Sequence, residues 1–263
     1  MSVPAVNGAS AHRSRERRRA AYFAAGLAVV AVALSPPLDG AAARRFSVHM
    51  TQHLLLILAA APLLVAGRPG ALLVEALPVE ARARLGRTLH RPEWRLARRL
   101  ATNPVVVLTV AVGGFWAWHL PRLYEAALHN DAVHGLEHVT FLAGGFLFWS
   151  VVLDPGPRRR LGLGATCGFV FAAMLANIWL SAALAFATRP LYAVYAAHGA
   201  GAALADQQLA GVVMWVPADV VYFVTLLLLF RRLLRDVGLR RLRREAALAA
   251  EAAEAAALLG AER

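Results

Sequence analysis

The chain has 263 residues, of which 59% are hydrophobic and 17% are charged. This composition is more apolar than that of an ordinary soluble domain and is typical of a membrane protein. The formal net charge is +12, but the basic residues cluster between apolar runs and form no stripe with interleaved aromatic residues. Nucleic-acid binding is therefore a poor explanation of the charge. The single cysteine, Cys167, excludes a disulfide framework or a Cys-x-x-Cys metal site within the chain.

Six apolar runs predict an all-α, polytopic membrane helix bundle. The runs are Ala20–Leu34, Phe46–Ala66, Pro104–Leu120, His134–Leu153, Leu161–Thr188 and Leu209–Phe230. The bundle is expected over residues 20–232, after a basic and disordered tail at 1–19 and before a basic, then Ala/Glu-rich helical tail at 233–263. The first run is short for a span and with its basic flank also resembles a secretory signal peptide. We favour a retained helix.

Arginine-rich segments between the runs predict the orientation of the bundle. These segments cover residues 13–19, 68–99, 158–160 and 231–244. With six spans and both termini in the cytoplasm, all four segments fall on the cytoplasmic side, as the positive-inside rule requires. The segment Pro78–Leu100 is either an amphipathic helix on the inner leaflet or a solvated basic loop.

Two pairs of histidines are the strongest functional signal. His49 and His53 open the second span, and His134 and His138 open the fourth, so both pairs are predicted near the outer face. Residues four apart share one face of a helix. Polar side chains at membrane depth are costly and usually face the bundle interior. Because imidazole suits copper, zinc and iron, the four histidines are predicted to bind a metal.

Several polar residues at comparable depth are predicted to support these histidines. They are Gln52, Glu137, Asp206 and Gln207, and we expect them to orient the imidazoles by hydrogen bonds. The thioether of Met50 would suit Cu(I), although Met50 points about 100° away from the face that carries His49.

The remaining histidines toward the outer face are interpreted more simply. His119, His129 and His198 each stand alone, and we interpret them as interfacial hydrogen-bonding residues. The stretch His134–His138 formally matches the H-x-x-E-H pattern of inverted zincins. The match is only five residues long and lacks a second signature, so the chain is not expected to be an enzyme.

Three blocks of sequence together resemble the bacterial caa3-type cytochrome c oxidase assembly factors, a family of multi-pass membrane proteins. The blocks are Val48–Pro69, His134–Val152 and Asp206–Val220, in the order and spacing of that family. The resemblance implies a role in maturing the oxidase in the bacterial cell membrane, with oxidase subunits and the lipid bilayer as partners. The family often has seven predicted helices where this chain has six. The copper-binding role is inferred from residue chemistry, not from the resemblance.

Three functions remain open on sequence grounds. The first is an assembly factor that binds copper, as Cu(I), through the four histidines and releases it to the oxidase. The second is an electron-transfer cytochrome in which two of these histidines ligate a haem. The third is an assembly scaffold that carries no metal.

Overall fold

The computed structural model describes residues 5–70, 74, 77–154 and 161–261, and this part of the chain is helical with no strand. The predicted all-α class is confirmed. The helices in chain order are α1 (Ala5–Ala33), α2 (Pro36–Ala42), α3 (Phe46–Leu54), a π-helix (Leu55–Ala60), α4 (Ala61–Gly67), α5 (Val79–Leu89), α6 (Pro92–Thr102), α7 (Pro104–Trp118), α8 (Pro121–His129), α9 (Asp131–Val152), α10 (Leu163–Ala185), a 3-10 helix (Ala193–His198) and α11 (Ala200–Ala261).

Four of the described helical segments are long and apolar enough to cross a membrane. They are Phe46–Gly67, which joins α3, the π-helix and α4, then α9, α10 and the Ala200–Glu251 part of α11. Two bent pairs raise the number to six if each pair is one span. These are His12–Ala33 with α2, bent by 50°, and α6 with α7, bent by 68°. A polytopic bundle is confirmed, and the predicted six spans equal this upper count.

The N-terminal end of the described chain is more helical than the sequence predicted, and the predicted helix of the C-terminal tail is continuous with the last span. The basic residues 13–19, expected to be disordered, continue α1 without a break, because no proline or glycine pair interrupts the helix before Pro36. At the other end, α11 runs on through Pro217 for 62 residues and joins the last span to the tail. The predicted basic turn at 155–160 lies outside the described residues.

Asp206 of α11 fixes where α3 begins. Its carboxylate accepts hydrogen bonds from the backbone N–H of Phe46 at 2.6 Å and of Ser47 at 3.4 Å, and from the Ser47 hydroxyl. The residue at the N-cap position, Arg45, makes no capping bond with its side chain. Asp206 therefore satisfies the free N–H groups of α3 from a neighbouring helix. This contact ties the first turn of the histidine-bearing span to α11.

The π-helix after α3 joins this span to α9. A π-turn shifts the backbone register and leaves carbonyl groups to be satisfied elsewhere. The indole N–H of Trp149 donates to the Ile57 carbonyl at 2.9 Å. Gly145 lies so close that a Cβ there would be 3.1 Å from the Ala61 side chain. α9 and the second span are thus in direct contact a few turns after their histidines.

Among the described glycines, the closest helix approach is at Gly211, where α10 meets α11. A Cβ at Gly211 would lie 2.5 Å from the Ala185 nitrogen and 2.8 Å from the Ser181 carbonyl oxygen. Only glycine permits this approach, as is common where membrane helices meet.

The variant Gly211→Ala should lower the free energy of unfolding by about 1–3 kcal/mol, since the added methyl group must push two backbones apart. Gly238→Ala is the matched control on the same helix, because a Cβ there meets nothing within 4 Å and alanine favours a helix by about 0.5–1 kcal/mol. Unfolding of the detergent-purified protein by titration with a denaturing detergent measures both. Equal stability of the two variants would contradict the assigned packing.

A candidate metal centre between two helices

The four histidines predicted from the sequence lie together between α3 and α9. One ring nitrogen of each lies within 4.8 Å of those of the other three. The ring centroids of His49 and His134 are 5.1 Å apart, and those of His53 and His138 are 5.5 Å apart. His49, His53 and His138 are buried and His134 is half-buried. The two i, i+4 pairs therefore face each other across one helix interface.

Their ring nitrogens are poorly satisfied by the protein. The Nε2 atoms of His49 and His53 are 2.9 Å apart. Within the described part of the chain, four other buried ring nitrogens have no hydrogen-bond partner: His49 Nδ1, His53 Nδ1, His134 Nε2 and His138 Nε2. Each such atom costs about 1–3 kcal/mol when it stays unpaired. A cation that accepts several imidazole lone pairs would offset this cost, so the donor set fits a metal ion.

Glu137 places a carboxylate among the same rings. Its Oε2 lies 3.6 Å from His49 Nε2 and its Oε1 3.8 Å from His53 Nε2. The residue is 1% exposed, and neither oxygen has a hydrogen-bond partner among the described residues. A buried carboxylate needs a compensating charge. Glu137 is therefore placed to neutralise or bind a cation directly, a closer position than the orienting role expected from the sequence.

Gln52 lies on α3 but turns away from the imidazoles. Its amide nitrogen donates to the Ala33 carbonyl at 2.8 Å and to Asp39 Oδ1 at 3.1 Å. It thus ties α3 to the end of α1 and to α2. Asp39 is a site neighbour that the sequence reasoning missed. The one sequence feature that could have indicated Asp39 is its position as an acidic residue in the Pro-rich segment before the histidine-bearing span.

Gln207 and Asp206 serve the backbone instead of the histidines. Gln207 Oε1 accepts from the Leu191 N–H at 2.7 Å, and its Nε2 donates to the Arg189 carbonyl at 3.4 Å. Gln207 therefore holds the loop between α10 and α11, while Asp206 caps α3 as described above. Both residues support the site only by positioning the elements around it.

An aromatic cluster covers His49 and was also missed. Tyr124 of α8 lies 5.2 Å from the His49 ring, centroid to centroid, and its hydroxyl is 2.7 Å from that of Tyr195. The Tyr195 hydroxyl also donates to the Ala42 carbonyl at 3.3 Å. Burial raises the pKa of Tyr124 well above its ordinary value, so this hydroxyl stays protonated and is not a phenolate ligand. The signal was faint, because Tyr124 and Tyr195 lie far apart in connecting segments.

The isolated histidines are placed differently from one another. His129 is exposed, with Nδ1 2.6 Å from the Glu125 carbonyl, which agrees with a simple hydrogen-bonding role. His119 is buried at 7% exposure, and its Nε2 lies 3.3 Å from Met50 Sδ. Met50 thus points away from the four histidines, as the helical spacing predicts. The side chain of His198 lies outside the described residues.

Comparison with known proteins identifies the family of the chain. The model of the family described as cytochrome c oxidase caa3 assembly factor matches residues 5–236. The chain belongs to this family. The resemblance seen in the three sequence blocks is thereby confirmed, and the matched residues include both histidine-bearing helices.

The curated relatives are larger mycobacterial proteins. Uncharacterized proteins of Mycobacterium bovis and Mycobacterium tuberculosis are each 28% identical over 179 residues, which cover 65% of this chain and 27% of each relative. An uncharacterized protein of Mycobacterium leprae is 25% identical over 200 residues, covering 73% of this chain and 30% of the relative. The chain therefore matches less than a third of their length. No solved structure matches it.

The variant Glu137→Gln should stabilise the metal-free protein by about 1 kcal/mol or more, since it removes a buried acid whose oxygens have no hydrogen-bond donor among the described residues. Denaturant unfolding in detergent with strong chelators present measures the change. Glu251→Gln, at an exposed position of α11, is the control and should have no effect. A less stable Glu137→Gln protein would show that the carboxylate is already satisfied without a cation.

Proposed function

We propose that this assembly factor binds copper, as Cu(I), through His49, His53, His134 and His138 and helps to deliver it to cytochrome c oxidase. The observation that carries the proposal is the convergence of four imidazoles, with ring nitrogens within 4.8 Å of one another, beside a buried carboxylate that approaches two of them. Such a set is unstable in an apolar bundle unless a cation compensates it.

Charge balance favours a monovalent cation. Among the side chains in direct contact, four neutral imidazoles and the Glu137 carboxylate carry one negative charge, so Cu(I) neutralises them, whereas a divalent ion leaves an excess positive charge that only a carboxylate outside this set, such as that of Asp39, could balance. Low-dielectric surroundings make such an excess costly. Imidazole suits copper, and a site without thiolates releases the ion more readily than a cysteine site. These properties suit a carrier that must pass its cargo on.

The geometry supports haem ligation less well. In a bis-histidine haem, two imidazoles approach the iron from opposite faces of a flat macrocycle. Here a second imidazole of each helix lies beside the first, and all four donor nitrogens are within 4.8 Å of one another. A haem placed between one imidazole of each helix would therefore overlap the other two imidazoles.

A scaffold function without a metal does not explain the buried polar cluster. Buried polar groups that lack partners lower stability and are few in native proteins. A protein that only held oxidase subunits together would be more stable with apolar side chains at these positions. The scaffold function therefore accounts for the bundle but not for its histidines.

The proposed location is the bacterial cell membrane, with the site near its outer face. The site lies where α3 and α9 begin, at the end where α11 also begins, since Asp206 caps α3. The arginine-rich segments belong to the opposite ends of these helices, which the positive-inside rule assigns to the cytoplasm. Oxidase subunits are the proposed recipients, and no catalytic step is assigned to the chain.

The four-histidine cluster should bind one Cu(I) per chain tightly enough to compete with a Cu(I) chelator. In the variant with all four histidines changed to alanine, affinity should fall more than about 100-fold, since loss of even the groups that orient metal ligands costs 10–100-fold. The visible spectrum of the purified protein should lack a Soret band. Oxidase activity in cells that carry the variant should fall with it.

The matched control changes His12, His90 and His129, all exposed, to alanine and should keep both copper and oxidase activity. Copper at unchanged affinity in the four-histidine variant would refute the proposal. Normal oxidase activity together with lost copper would separate metal binding from assembly and favour the scaffold function.

A further inference from the structure

A second pair of soft donor atoms lies beside the four histidines. Met50 Sδ and His119 Nε2 are 3.3 Å apart, and the two residues are 1% and 7% exposed. Met50 lies on α3, directly after His49, while His119 ends α7. The contact is therefore made by the tertiary structure between residues distant in the chain.

This contact is not an ordinary hydrogen bond. The carbonyl of Phe115 can only accept, and it lies 2.7 Å from His119 Nδ1. The single proton of a neutral imidazole is therefore placed on Nδ1, which leaves a lone pair on Nε2. A thioether sulfur carries no proton. Two lone pairs thus face each other in a buried place with no hydrogen between them.

The surrounding contacts hold His119 in this orientation. The Tyr192 hydroxyl donates to the His119 carbonyl at 2.8 Å, and the Phe115 ring lies 4.8 Å from the imidazole, centroid to centroid. A thioether and an imidazole together select soft cations such as Cu(I) over harder divalent ions. A monovalent soft cation between the two atoms would use both lone pairs.

We propose that Met50 and His119 form a second, softer position for Cu(I), adjacent to the four-histidine cluster. This inference rests on the proposed function, because it gives the copper of that site a neighbouring place to move to. The two positions share a neighbour, since the Phe141 ring centroid lies 4.4 Å from that of His53 and 6.4 Å from that of His119.

Movement between the two positions is ligand exchange alone. Copper remains Cu(I), so no electron is transferred. His119 Nε2 is already unprotonated when Nδ1 donates to Phe115, so no proton has to leave it. The lone pairs of Met50 and His119 replace those of the cluster histidines one at a time, as suits a labile ion.

The test loads the full-length, detergent-purified protein anaerobically with an excess of Cu(I), removes free ion, and measures copper content and copper X-ray absorption. The natural protein should hold two Cu(I) per chain, with nitrogen and one sulfur among the ligands. Met50→Leu should hold one, with nitrogen ligands only. This volume-conserving change is well tolerated in a packed interior. His119→Gln should have the same effect and guards against a local defect of the first variant.

Met214→Leu is the matched control, since Met214 is a 1% exposed methionine of the same hydrophobic cluster as Met50. It should keep two copper ions and the sulfur ligand. Sulfur that persists in Met50→Leu, or natural protein with a single copper bound by nitrogen only, would overturn the second position and leave the proposed function standing.

The four-histidine alanine variant distinguishes the two failures. With Met50 and His119 intact, it should retain one weakly bound, sulfur-ligated Cu(I). If the natural protein also held only this sulfur-ligated ion, the proposed function would fail and the second position would stand. If neither protein held any copper, both would be refuted.

Discussion

Polar atoms buried in an apolar bundle are the constraint on which this structure depends. Four imidazoles and the Glu137 carboxylate lie between α3 and α9, where the described protein groups do not satisfy all of their polar atoms. Helices that assemble in a membrane gain little from burying apolar surface, so packing and polar contacts decide how they meet. A cation bound as proposed would stabilise such a cluster, and it would link the fold of the bundle to the chemistry of its site.

The rest of the bundle places this cluster at a defined depth. Asp206 accepts hydrogen bonds from the first turn of α3. Trp149 donates a hydrogen bond to the Ile57 carbonyl of the π-helix, one turn beyond His53. Because π-turns often mark functional sites in helices, the irregular segment belongs to the site's support. Tyr124 packs against His49 and, with Tyr195, adds neutral hydroxyl groups beside the site. The histidines are thus enclosed by contacts from several segments of the chain, which restricts the approach of water and of competing ligands.

Some features of the site were predictable because they follow from local spacing. Two i, i+4 histidine pairs at the start of two spans require only helical geometry and the hydropathy of the runs. The supporting residues were harder to place. Gln52, Asp206 and Gln207 share the depth of the histidines, yet each points to a backbone group of another segment. Depth along a helix follows from sequence, whereas the direction in which a side chain finds a partner depends on the neighbouring helix.

The amino-acid sequence by itself determined the membrane class, the approximate spans and the family, because these depend on composition, hydropathy and residue order. Only the tertiary structure decided that Glu137 reaches His49 and His53, that Asp39 meets Gln52, and that Met50 faces His119. The last contact joins residues 69 positions apart, and His119 alone resembles an ordinary interfacial histidine. No local pattern encodes such a meeting, since it depends on which helix faces pack together.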